Sequence, residues 1–581
     1  MGVPGFVSWL RDYCKDAIIL NSLPNQANVL YIDGNCLIHP KCFEVVDFLE
    51  KKHKYKDYDH MVKIMFQRIV KFIDYLVCYV NPQECYFAVD GVAPMAKINQ
   101  QRKRRYRAID DTKMKNDIKE KHKIPFNNSW SNTVITPGTD FMEDLHDYLL
   151  NFFNNKKNTN IKYTYSSYHS PGEGEHKILG DIKSRKDSGI NVIYGLDADL
   201  FFLAMASQHT DLYLLREEHQ FRKGQIIKTE ILDVINDVAE DMRFVSIDYL
   251  KEIYNQKMEE MLITRNIDYQ VMHNDNYWND FIFLCYFLGN DFLPHIPSLD
   301  IHKGGLDVII DAYVGVYSLL KTNFIIRDKN NVAINMIFMS SFLEKLSSSE
   351  DTYFLEVLPS HEHKKRKKRC PNNDEYSKEL WMIENMMFYV EDPIKLGHGS
   401  NTEWKSRYYS HYFNVSEYYD NFINDICKSY MEGLIWITKY YFNECPSWDW
   451  QYPYTHAPFV SDLNTFLKKT NTKFDINKFM FNLNTKPLDP CVQLLAVLPP
   501  SCANIMPPQY GRLVTDINSP ILDIYPTQIK IDMINKDKHW MCIPFLCYVD
   551  TTRILDVIKD IKISQKEETK NKICKEFKVN H

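Results

Sequence analysis

Three short apolar segments in the N-terminal half of the chain end in aspartate. They are NVLYID at 28–33, CYFAVD at 85–90 and NVIYGLDAD at 191–199. Such runs are typical of strands buried on both faces of a parallel sheet. Helical patterns lie between and around them, at 61–80, 140–154 and 174–184. The alternation predicts an α/β domain with a mostly parallel sheet, whose ligands bind at the carboxyl ends of the strands, where these aspartates lie.

Length and composition exclude several classes of protein. A chain of 581 residues can bury large cores without disulfide or metal crosslinks. Lys and Arg number 70 while Asp and Glu number 76, so the formal charge is -6 and any contact with nucleic acid must rest on local basic patches. The 14 cysteines form no C-x-x-C pair, which favours a reducing compartment. We expect the cytoplasm rather than the nucleus.

The sequence predicts a soluble protein that does not associate with a membrane. Its N-terminal segment carries acidic and basic residues in place of an apolar signal core. Phe6 stands where an N-myristoylation motif needs Ser or Thr. The apolar run FIFLCYFL at 281–288 is well short of the ~20 residues that span a bilayer. We expect this run to form a buried helix.

Changes in sequence texture divide the chain into four parts. These are an α/β domain at 1–320, a variable linker at 321–378, a second mixed, helix-rich domain at 379–555, and a Lys-rich tail with a surface helix at 556–581. The second domain is expected to pack against the first. The linker contains HEHKKRKKRC at 361–370, and we interpret Lys364 to Arg369 as a solvated charge run rather than a nuclear address.

Seven carboxylates each follow a strand or lie in a turn that contains glycine. They are Asp33, Asp90, Glu173, Glu175, Asp197, Asp199 and Asp291. The i, i+2 spacing of Glu173/Glu175 and of Asp197/Asp199 places both side chains of a pair on one side of an extended segment. Two carboxylates about 4 Å apart repel by about 4 kcal/mol at an effective dielectric constant of 20, so a cluster needs protons or cations.

Mg²⁺ is the simplest cation for such a cluster because it prefers oxygen ligands and retains waters. Two such ions about 4 Å apart can activate a hydroxide and stabilise the leaving oxygen of a phosphodiester. The pattern therefore favours hydrolysis of a phosphate backbone. The alternative is that each Asp is a turn or helix-cap residue, the usual role of Asp beside Gly. The sequence leaves convergence of the seven side chains open.

A basic segment, GVAPMAKINQQRKRRYRAID, comes directly after the second apolar run. In a helix its side chains at i, i+4, i+7 and i+8 would share one face, and these are Lys97, Gln101, Arg104 and Arg105. Arg offers forked donors for phosphate oxygens and Lys a point charge, so this face could hold a terminal phosphate beside the acidic cluster. The alternative is a solvated basic helix.

Three aromatic or imidazole side chains could stack on bases. They are His39, six residues after the first aspartate, and Trp448 and Trp450 in SWDWQYPY. Flat side chains hold single strands without regard to sequence, at about 1–3 kcal/mol per base. Burial in a core is the alternative for each. His176 and His295 have no metal-ligand spacing to partners, and we interpret them as structural histidines.

The chain resembles the XRN-type 5′-to-3′ exoribonucleases of the PIN/FEN-like nuclease superfamily. The resemblance rests on many stretches in both halves: MGVPGF, YIDGNCLIH, FAVDGVAPMAKINQQRKRR, ITPGTDFM, PGEGEHKI, YGLDADLFFLA, LCYFLGNDFLPHIPSLDIHKGGLD, DAYVG, WKSRYY, CPSWDWQYPYTHAPF, QLLAVLP and SPILDIYPTQIKIDM. Each motif is weak alone, but together they are specific and cover most of the chain.

The resemblance implies a PIN/FEN-like core in which the seven carboxylates bind Mg²⁺ or Mn²⁺, two ions in all. It implies that the basic face is the pocket for a 5′-phosphate, and that His39 stacks on the first base. A tryptophan stacks on the opposite side in the family, which here leaves Trp448 and Trp450 as candidates.

The function expected from the resemblance is processive 5′-to-3′ hydrolysis of single-stranded RNA that bears a 5′-monophosphate, releasing nucleoside 5′-monophosphates in RNA decay. Decapping factors are possible partners, and a monomer is expected. Two other functions stay open. One is a 5′ flap endonuclease that acts on DNA, because that family shares the acidic core; the other is a catalytically inactive RNA-binding scaffold. The complete set of carboxylates argues against the scaffold.

Overall fold

The computed structural model describes most of the chain. The described residues are 6–14, 18–52, 57–126, 130–185, 189–217, 230–265, 277–328, 331–415, 420–470 and 474–581. The first five residues, which belong to the MGVPGF motif, lie outside these ranges.

The described strands build one large sheet and two small ones. The strands are β1 (Ile19–Leu20), β2 (Val29–Asp33), β3 (Glu84–Ala88), β4 (Lys162–Ser166), β5 (Asn191–Tyr194), β6 (Leu212–Glu217), β7 (Met242–Ser246), β8 (Ile325–Asp328), β9 (Asn331–Ile334), β10 (Lys530–Asp532), β11 (Ile543–Phe545) and β12 (Phe577–Val579). In the described part of the chain, the large sheet has the order β1-β7-β6-β5-β2-β3-β4-β12. Its five central strands, from β6 to β4, are parallel, and β7 and β12 pair antiparallel with them. The predicted mostly parallel sheet is confirmed.

Strand β2 is the centre of this sheet, and all five of its residues are buried. Ile32 pairs with Phe87 on one side and with Tyr194 on the other. The chain adds β3 and β4 on one side of β2, and later β5 and β6 on the other. This change of direction opens a crevice at the carboxyl end of β2, where ligands of open α/β sheets bind. Asp33 is the last residue of the strand.

Helices cover both faces of the large sheet and make up most of the second half. Those of the first half are α1 (Phe6–Cys14), α2 (Gly34–Lys52), α3 (Tyr58–Val80), α4 (Met95–Lys121), α5 (Asp140–Asn154), α6 (Gly174–Ser184), α7 (Asp199–Ala206), α8 (Ile231–Asn236), α9 (Ile247–Ile263), α10 (Tyr277–Cys285) and α11 (Gly305–Leu320). Those of the second half are α12 (Met336–Ser347), α13 (Glu350–Thr352), α14 (Leu358–Arg366), α15 (Glu375–Glu384), α16 (Asn401–Phe413), α17 (Asp420–Phe442), α18 (Val460–Thr470), α19 (Pro490–Val497), α20 (Pro508–Leu513), α21 (Thr551–Ile558) and α22 (Gln565–Lys570). The bounds of α5 and α6 agree with the predicted helices.

Local side chains fix several helix ends. Asp57 precedes α3, and its carboxylate accepts a hydrogen bond from the backbone N–H of His60. Thr139 precedes α5 and accepts from the N–H of Met142 in the same way. Such caps satisfy backbone donors that a helix leaves without a partner at its first turn. At the other end of α3, Asn81 adopts a left-handed conformation that stops the helix.

Two apolar cores lie on the two faces of the large sheet. Because strand side chains alternate, Leu30 and Ile32 of β2 enter the core shared with α2, α3 and α5. Val29 and Tyr31 enter the other core, which includes α6, α7, α9 and α10. That second core continues into α11, α12, α16, α17 and α18. The predicted helix-rich region therefore packs against the sheet domain.

The segment 321–378, which we predicted to be a variable linker, contains regular secondary structure. Strands β8 and β9 and helices α12, α13 and α14 occupy much of this segment, and α15 begins at its end. Phe338 and Phe342 of α12 are fully buried, and they recur at helical spacing within a segment whose overall polar texture suggested a loop. The basic run is also partly helical, because α14 continues to Arg366.

The tail at 556–581 was only partly predicted. It contains the short helix α22, as expected, but it ends in β12, which pairs antiparallel with β4 through Val579 and Tyr163. The C-terminal residues are thus the edge of the N-terminal sheet.

The apolar run at 281–288 is buried, as predicted. Its first part belongs to α10 and its last three residues form a 3-10 turn, with every side chain in the core. Among the described helices, none has both the length and the apolar character that a membrane crossing requires.

Candidate active site

A cavity of about 440 Å³ opens at the carboxyl ends of β2, β3 and β5. Its lining includes five of the seven predicted carboxylates, which we call the acidic wall: Asp33, Asp90, Glu173, Glu175 and Asp197. It also includes three side chains of α4, which we call the cationic wall: Gln101, Arg104 and Arg105. Lys97 and His39 line the same cavity. The two predicted constellations therefore meet in one place.

Glycine allows the acidic wall to close around the start of α6. The backbone N–H of Gly174 donates to Oδ1 of Asp90 at 2.7 Å. A Cβ atom at Gly174 would lie 3.1 Å from Oδ1 of Asp33 and 3.3 Å from Oδ1 of Asp90. Asn35 supports both aspartates, since its amide oxygen accepts from the N–H of Asp90 at 3.1 Å and its own N–H donates to Asp33 at 3.2 Å. The two aspartates are held against one helix terminus.

Lys97 joins the acidic wall to a carboxylate behind it. Its ammonium contacts Glu173 and donates to Oδ2 of Asp291 at 2.8 Å. Gln100 donates to the other oxygen of Asp291 at 3.1 Å. Glu173 is the residue before α6 and Glu175 lies in its first turn, where the helix dipole favours negative charge. Lys97 is thus engaged with carboxylates, in addition to lining the cavity.

Asp199 and Asp291 do not line the cavity, although both are buried close to its acidic side. Asp199 begins α7, and Asp291 follows α10. Burial would raise the pKa of Asp291, but the positive charges around it, Lys97 foremost and Arg104 among the others, together hold that pKa below its usual value. In the same way, the charges of Asp291 and Glu173 keep the pKa of Lys97 well above its usual value despite burial.

Four other carboxylates, Asp33, Asp90, Glu175 and Asp199, resist ionisation. Burial, and then the charge of Asp90, raises the pKa of Asp33 to about 7. Burial, and then the charge of Asp291, raises the pKa of Asp199 to about 7. Burial likewise raises the pKa of Asp90, and raises that of Glu175 well above its usual value. A site of this kind takes up protons, or exchanges them for a cation.

The cationic wall is positioned by the turn before α5. The guanidinium of Arg105 donates to the hydroxyl of Thr136 at 2.8 Å and to the carbonyl of Ile135 at 3.0 Å. Arg104 is exposed toward the cavity and Gln101 is half-buried. Burial, and then the charge of Arg104, lowers the pKa of Arg105 to about 10, which leaves it a cation at pH 7.

Other cations of α4 have a structural role. Arg102 donates to the carbonyl of Ala496 at 3.1 Å, and Arg107 donates to that of Cys542 at 2.8 Å. Both are buried. They do not line the cavity but bind the helix-rich second half of the chain. Helical spacing thus places some basic residues of α4 in the cavity and others against the second half.

Of the three side chains predicted to stack on bases, His39 lines the cavity and the two tryptophans do not. Burial, and then the charges of Arg105 and Arg104, lowers the pKa of His39 to about 3, so its ring in the cavity is neutral at pH 7. Neither tryptophan lines the cavity. The carbonyl of Trp448 accepts from the N–H of Met95 at 2.8 Å, at the start of α4. Stacking of either tryptophan on a base stays a prediction.

Trp450 belongs to a column of stacked rings. It stacks on Trp436 with ring centres 5.0 Å apart, Trp436 stacks on Tyr440 at 4.9 Å, and Tyr440 stacks on His176 at 3.8 Å. The hydroxyl of Tyr440 donates to Oε1 of Glu173 at 2.8 Å. The column therefore links the second region to the acidic wall.

Two family models match the chain in sequence. The model of the XRN 5′-3′ exonuclease N-terminus matches residues 1–218, and that of the Xrn1 helical domain matches 271–391 and 361–579. The chain belongs to the XRN family.

Human 5′-3′ exoribonuclease 1 is 29% identical over 98% of this chain and 35% of its own length. The 5′-3′ exoribonuclease 2 homolog of Drosophila melanogaster is 29% identical over 96% of this chain and 71% of its own length. The 5′-3′ exoribonuclease 1 of Saccharomyces cerevisiae is 26% identical over 99% of this chain and 44% of its own length. This XRN chain thus spans about a third of the human relative.

In this XRN family member, two side chains that the sequence analysis did not assign to the site contact it or lie close to it. Tyr440 lies 267 residues from its partner Glu173, and no local signal marks such a contact. His176 was interpreted as structural, yet one ring nitrogen lies within 4.8 Å of carboxylate oxygens of Glu173 and Glu175. Its i+3 spacing from Glu173 at a helix start could have indicated this proximity. His295 is structural as predicted, and its Nδ1 lies 3.0 Å from the carbonyl of Ile296.

The donor set of this XRN site fits a hard divalent cation. Its ligand atoms are carboxylate oxygens, which Mg²⁺ and Mn²⁺ prefer. Oδ1 of Asp199 is buried and has no hydrogen-bond partner among the described residues, which would be unfavourable in a site designed to remain without a cation. Burial and mutual repulsion raise the pKa values of these carboxyls, and a bound cation would offset both effects. The arrangement brings a cationic face and a cluster of carboxylates together in the lining of one cavity.

Proposed function

We propose that this chain is a processive 5′-to-3′ exoribonuclease that hydrolyses single-stranded RNA with a 5′-monophosphate to nucleoside 5′-monophosphates, in RNA decay. The observation that carries the proposal is the single cavity lined by an acidic wall and a cationic wall. A terminal phosphate on one wall would leave the first phosphodiester beside the other. The three relatives described above are named as 5′-3′ exoribonucleases, which supports the same activity.

The seven carboxylates would hold Mg²⁺ or Mn²⁺, two ions in our proposal. When bound, such ions would activate the attacking water and stabilise the leaving oxygen. The residues that would bind them are Asp33, Asp90, Glu173, Glu175, Asp197, Asp199 and Asp291.

The side chains of α4 would select the end of the RNA. Arg105, oriented by Thr136, would offer its guanidinium charge to a phosphate, and Arg104 and Gln101 would add a second cation and an amide. A cavity of about 440 Å³ suits one terminal nucleotide better than a cap or a triphosphate. The neutral ring of His39 would stack on the first base without adding charge.

The decisive experiment is digestion of one RNA that carries a 5′-monophosphate, a 5′-triphosphate or a cap, with Mg²⁺ or with EDTA. We expect stepwise release of nucleoside 5′-monophosphates from the monophosphate form alone, and only with the metal. Cutting of a flap duplex at its junction, without stepwise release from RNA, would favour the DNA endonuclease. Binding of RNA without cleavage by any divalent metal would favour the scaffold.

Two further parts of the proposal concern the setting of this activity. Because a capped end would not enter the cavity, the enzyme would act after a decapping reaction, and decapping factors are its proposed partners. The enzyme is proposed to be a monomer in the cytoplasm. Light scattering of the purified chain and imaging of a tagged chain test these two statements.

A further inference from the structure

A second and larger cavity, of about 870 Å³, lies in the helix-rich region between α14 and the segment that follows α15. We call it the α14 groove, and its lining comes from 358–366, 386–398 and 533–536. It shares no lining residue with the catalytic cavity. The basic run at 364–369, which the proposed function does not use, begins in its wall.

Cations dominate the lining of this groove. They are Lys365, Arg366, Lys395 and Lys536, against the two acidic residues Glu362 and Asp392. Lys536 lies 3.6 Å from Asp532 and Lys365 lies 3.9 Å from Asp537, so the charge of these two lysines is compensated within the protein. The side chains of Arg366 and Lys395 are exposed and form no ion pair among the described residues. The groove thus presents positive charge to a ligand.

Two aromatic rings stand in the same groove. The side chain of Tyr389 is 88% exposed and that of Phe388 is 40% exposed. Exposed rings beside cations are the combination that holds single-stranded nucleic acid, because bases stack on the rings while the cations contact phosphates. An acidic peptide would satisfy the cations but would leave the rings in water.

The backbone of the groove is held in an unusual conformation. Met386, Lys395 and Asn535 all line it, and each has a positive φ, of 54°, 49° and 57°. Left-handed conformations are costly for residues with a side chain. Such residues persist where the surrounding structure fixes them, and they concentrate at ligand sites. Two of the three segments named above, 386–398 and 533–536, thus carry residues of fixed geometry.

The groove packs against the helix that supplies the cationic wall. Arg107 of α4 donates to the carbonyl of Cys542 at 2.8 Å, and Sγ of Cys542 lies 3.7 Å from Sδ of Met386. Lys121 near the end of α4 pairs with Glu379 of α15 at 2.8 Å. The two cavities therefore lie on either side of one layer of packed elements.

We propose that the α14 groove binds single-stranded RNA, namely the part of a substrate strand that lies 3′ of the nucleotides in the catalytic cavity. Arg366 and Lys395 contact phosphates, and Phe388 and Tyr389 stack on bases. The identity of the RNA as a substrate rests on the proposed function, whereas the binding itself rests on the groove.

Binding of RNA in EDTA tests this proposal on the full chain without cleavage. The probes are a fluorescent 30-nucleotide oligouridine with a 5′-hydroxyl end and a 6-nucleotide oligouridine with a 5′-monophosphate. We expect Tyr389→Ala to raise the Kd of the long RNA about tenfold, since one stacked base contributes about 1–3 kcal/mol. Its matched control is Tyr548→Ala, which removes a ring that is 54% exposed and lies outside the groove.

The double variant Arg366→Ala/Lys395→Ala tests the phosphate contacts. We expect the slope of log K against log salt for the long RNA to fall in magnitude by about 1.4, at about 0.7 per phosphate contact on a single strand. The control with the same change of net charge is Lys468→Ala/Lys469→Ala on α18, whose two lysines are exposed outside the groove. The short RNA should keep its Kd in all four variants.

Unchanged affinity and salt dependence of both groove variants, with unaltered melting temperatures, would overturn the proposal. So would binding of a labelled oligoglutamate peptide that the double variant loses while RNA binding persists, because the groove would then be a site for acidic peptides. These readings do not depend on catalysis. A chain that digests monophosphorylated RNA but shows no groove effect would retain the proposed function and lose this inference.

Discussion

The two walls of the catalytic cavity are built in different ways. The acidic wall gathers side chains from the ends of β2, β3 and β5 and from the start of α6, so its geometry depends on the whole sheet. The cationic wall comes from one helix, α4, and its geometry depends on helical spacing. The acidic wall is also electrostatically strained, whereas Arg105 has hydrogen bonds to a hydroxyl and a carbonyl. We therefore expect acidic substitutions to change catalysis and stability together, and cationic substitutions to change only the choice of RNA end.

The largest effect is expected for Asp199→Asn, which removes a negative charge but retains the shape of the side chain. Loss of a metal ligand should lower the rate by more than about a hundredfold, the upper range for residues that merely support ligands. The variant should also melt at a higher temperature than the unmodified protein in EDTA, because one repulsive charge is gone. Kinetics and thermal melts check both. Asp556→Asn, at an exposed site on α21, is the control, and equal rates for the two variants would contradict the assignment.

Arg105→Ala should act on selectivity alone. A charge-assisted hydrogen bond contributes about 1.5–3 kcal/mol, so the preference for a 5′-monophosphate over a 5′-hydroxyl end should fall about 10- to 100-fold. Thr136→Val removes one of the bonds that orient the guanidinium, together with the bond from this hydroxyl to the carbonyl of Thr133. It leaves the bond to Ile135 and should have a smaller effect in the same direction. Competition between the two RNA ends measures the ratio. Equal loss of activity on both ends would show that the cationic wall does not read the phosphate.

The pH dependence of metal binding should depend on the carboxyl groups and not on the cationic wall. Asp33 and Asp199 have folded pKa values of about 7, above those of an unfolded chain. Their protonated forms therefore favour the folded state at low pH, and this contribution is lost as the pH rises from about 4 through 7. Bound Mg²⁺ must displace these protons, so its affinity should fall about tenfold per pH unit below 7 for each proton released. Calorimetry at pH 5.5 and 7.5 measures this, and a flat profile would contradict it.

The smallest effect is expected for Tyr440→Phe, which removes the hydrogen bond to Glu173 but keeps the ring in its column. A hydrogen bond to a charged acceptor contributes about 1.5–3 kcal/mol, but Lys97 still contacts Glu173 in the variant. We therefore expect the rate to fall only a few-fold and the apparent Mg²⁺ affinity to change with it. Tyr430→Phe on the same helix is the matched control, because its hydroxyl donates to the carbonyl of Pro294. Restored activity at high Mg²⁺ would support positioning of Glu173, and equal behaviour of both variants would oppose it.

The same contrast explains what the sequence could predict. The strand-end aspartates were predictable because parallel strands expose their carboxyl ends at one edge, and the basic face because helical spacing fixes it. Asp291 and Tyr440 were harder, since they come from other elements and meet the site only through tertiary packing. The buried helix α12 was missed because its apolar residues lie within a polar segment. The stacking of Trp450 on Trp436 joins two separate elements and has no local sequence signal, and the stacking of Trp450 on a base stays a prediction.

The measurement that tests the account most directly is the location of Mn²⁺ by anomalous diffraction from crystals soaked with the ion. The account predicts Mn²⁺ bound among the oxygens of the acidic wall and Asp199, on the side of the cavity opposite Arg104 and Arg105. Mn²⁺ absent from this cluster at saturating concentration, or bound only elsewhere on the chain, would contradict it.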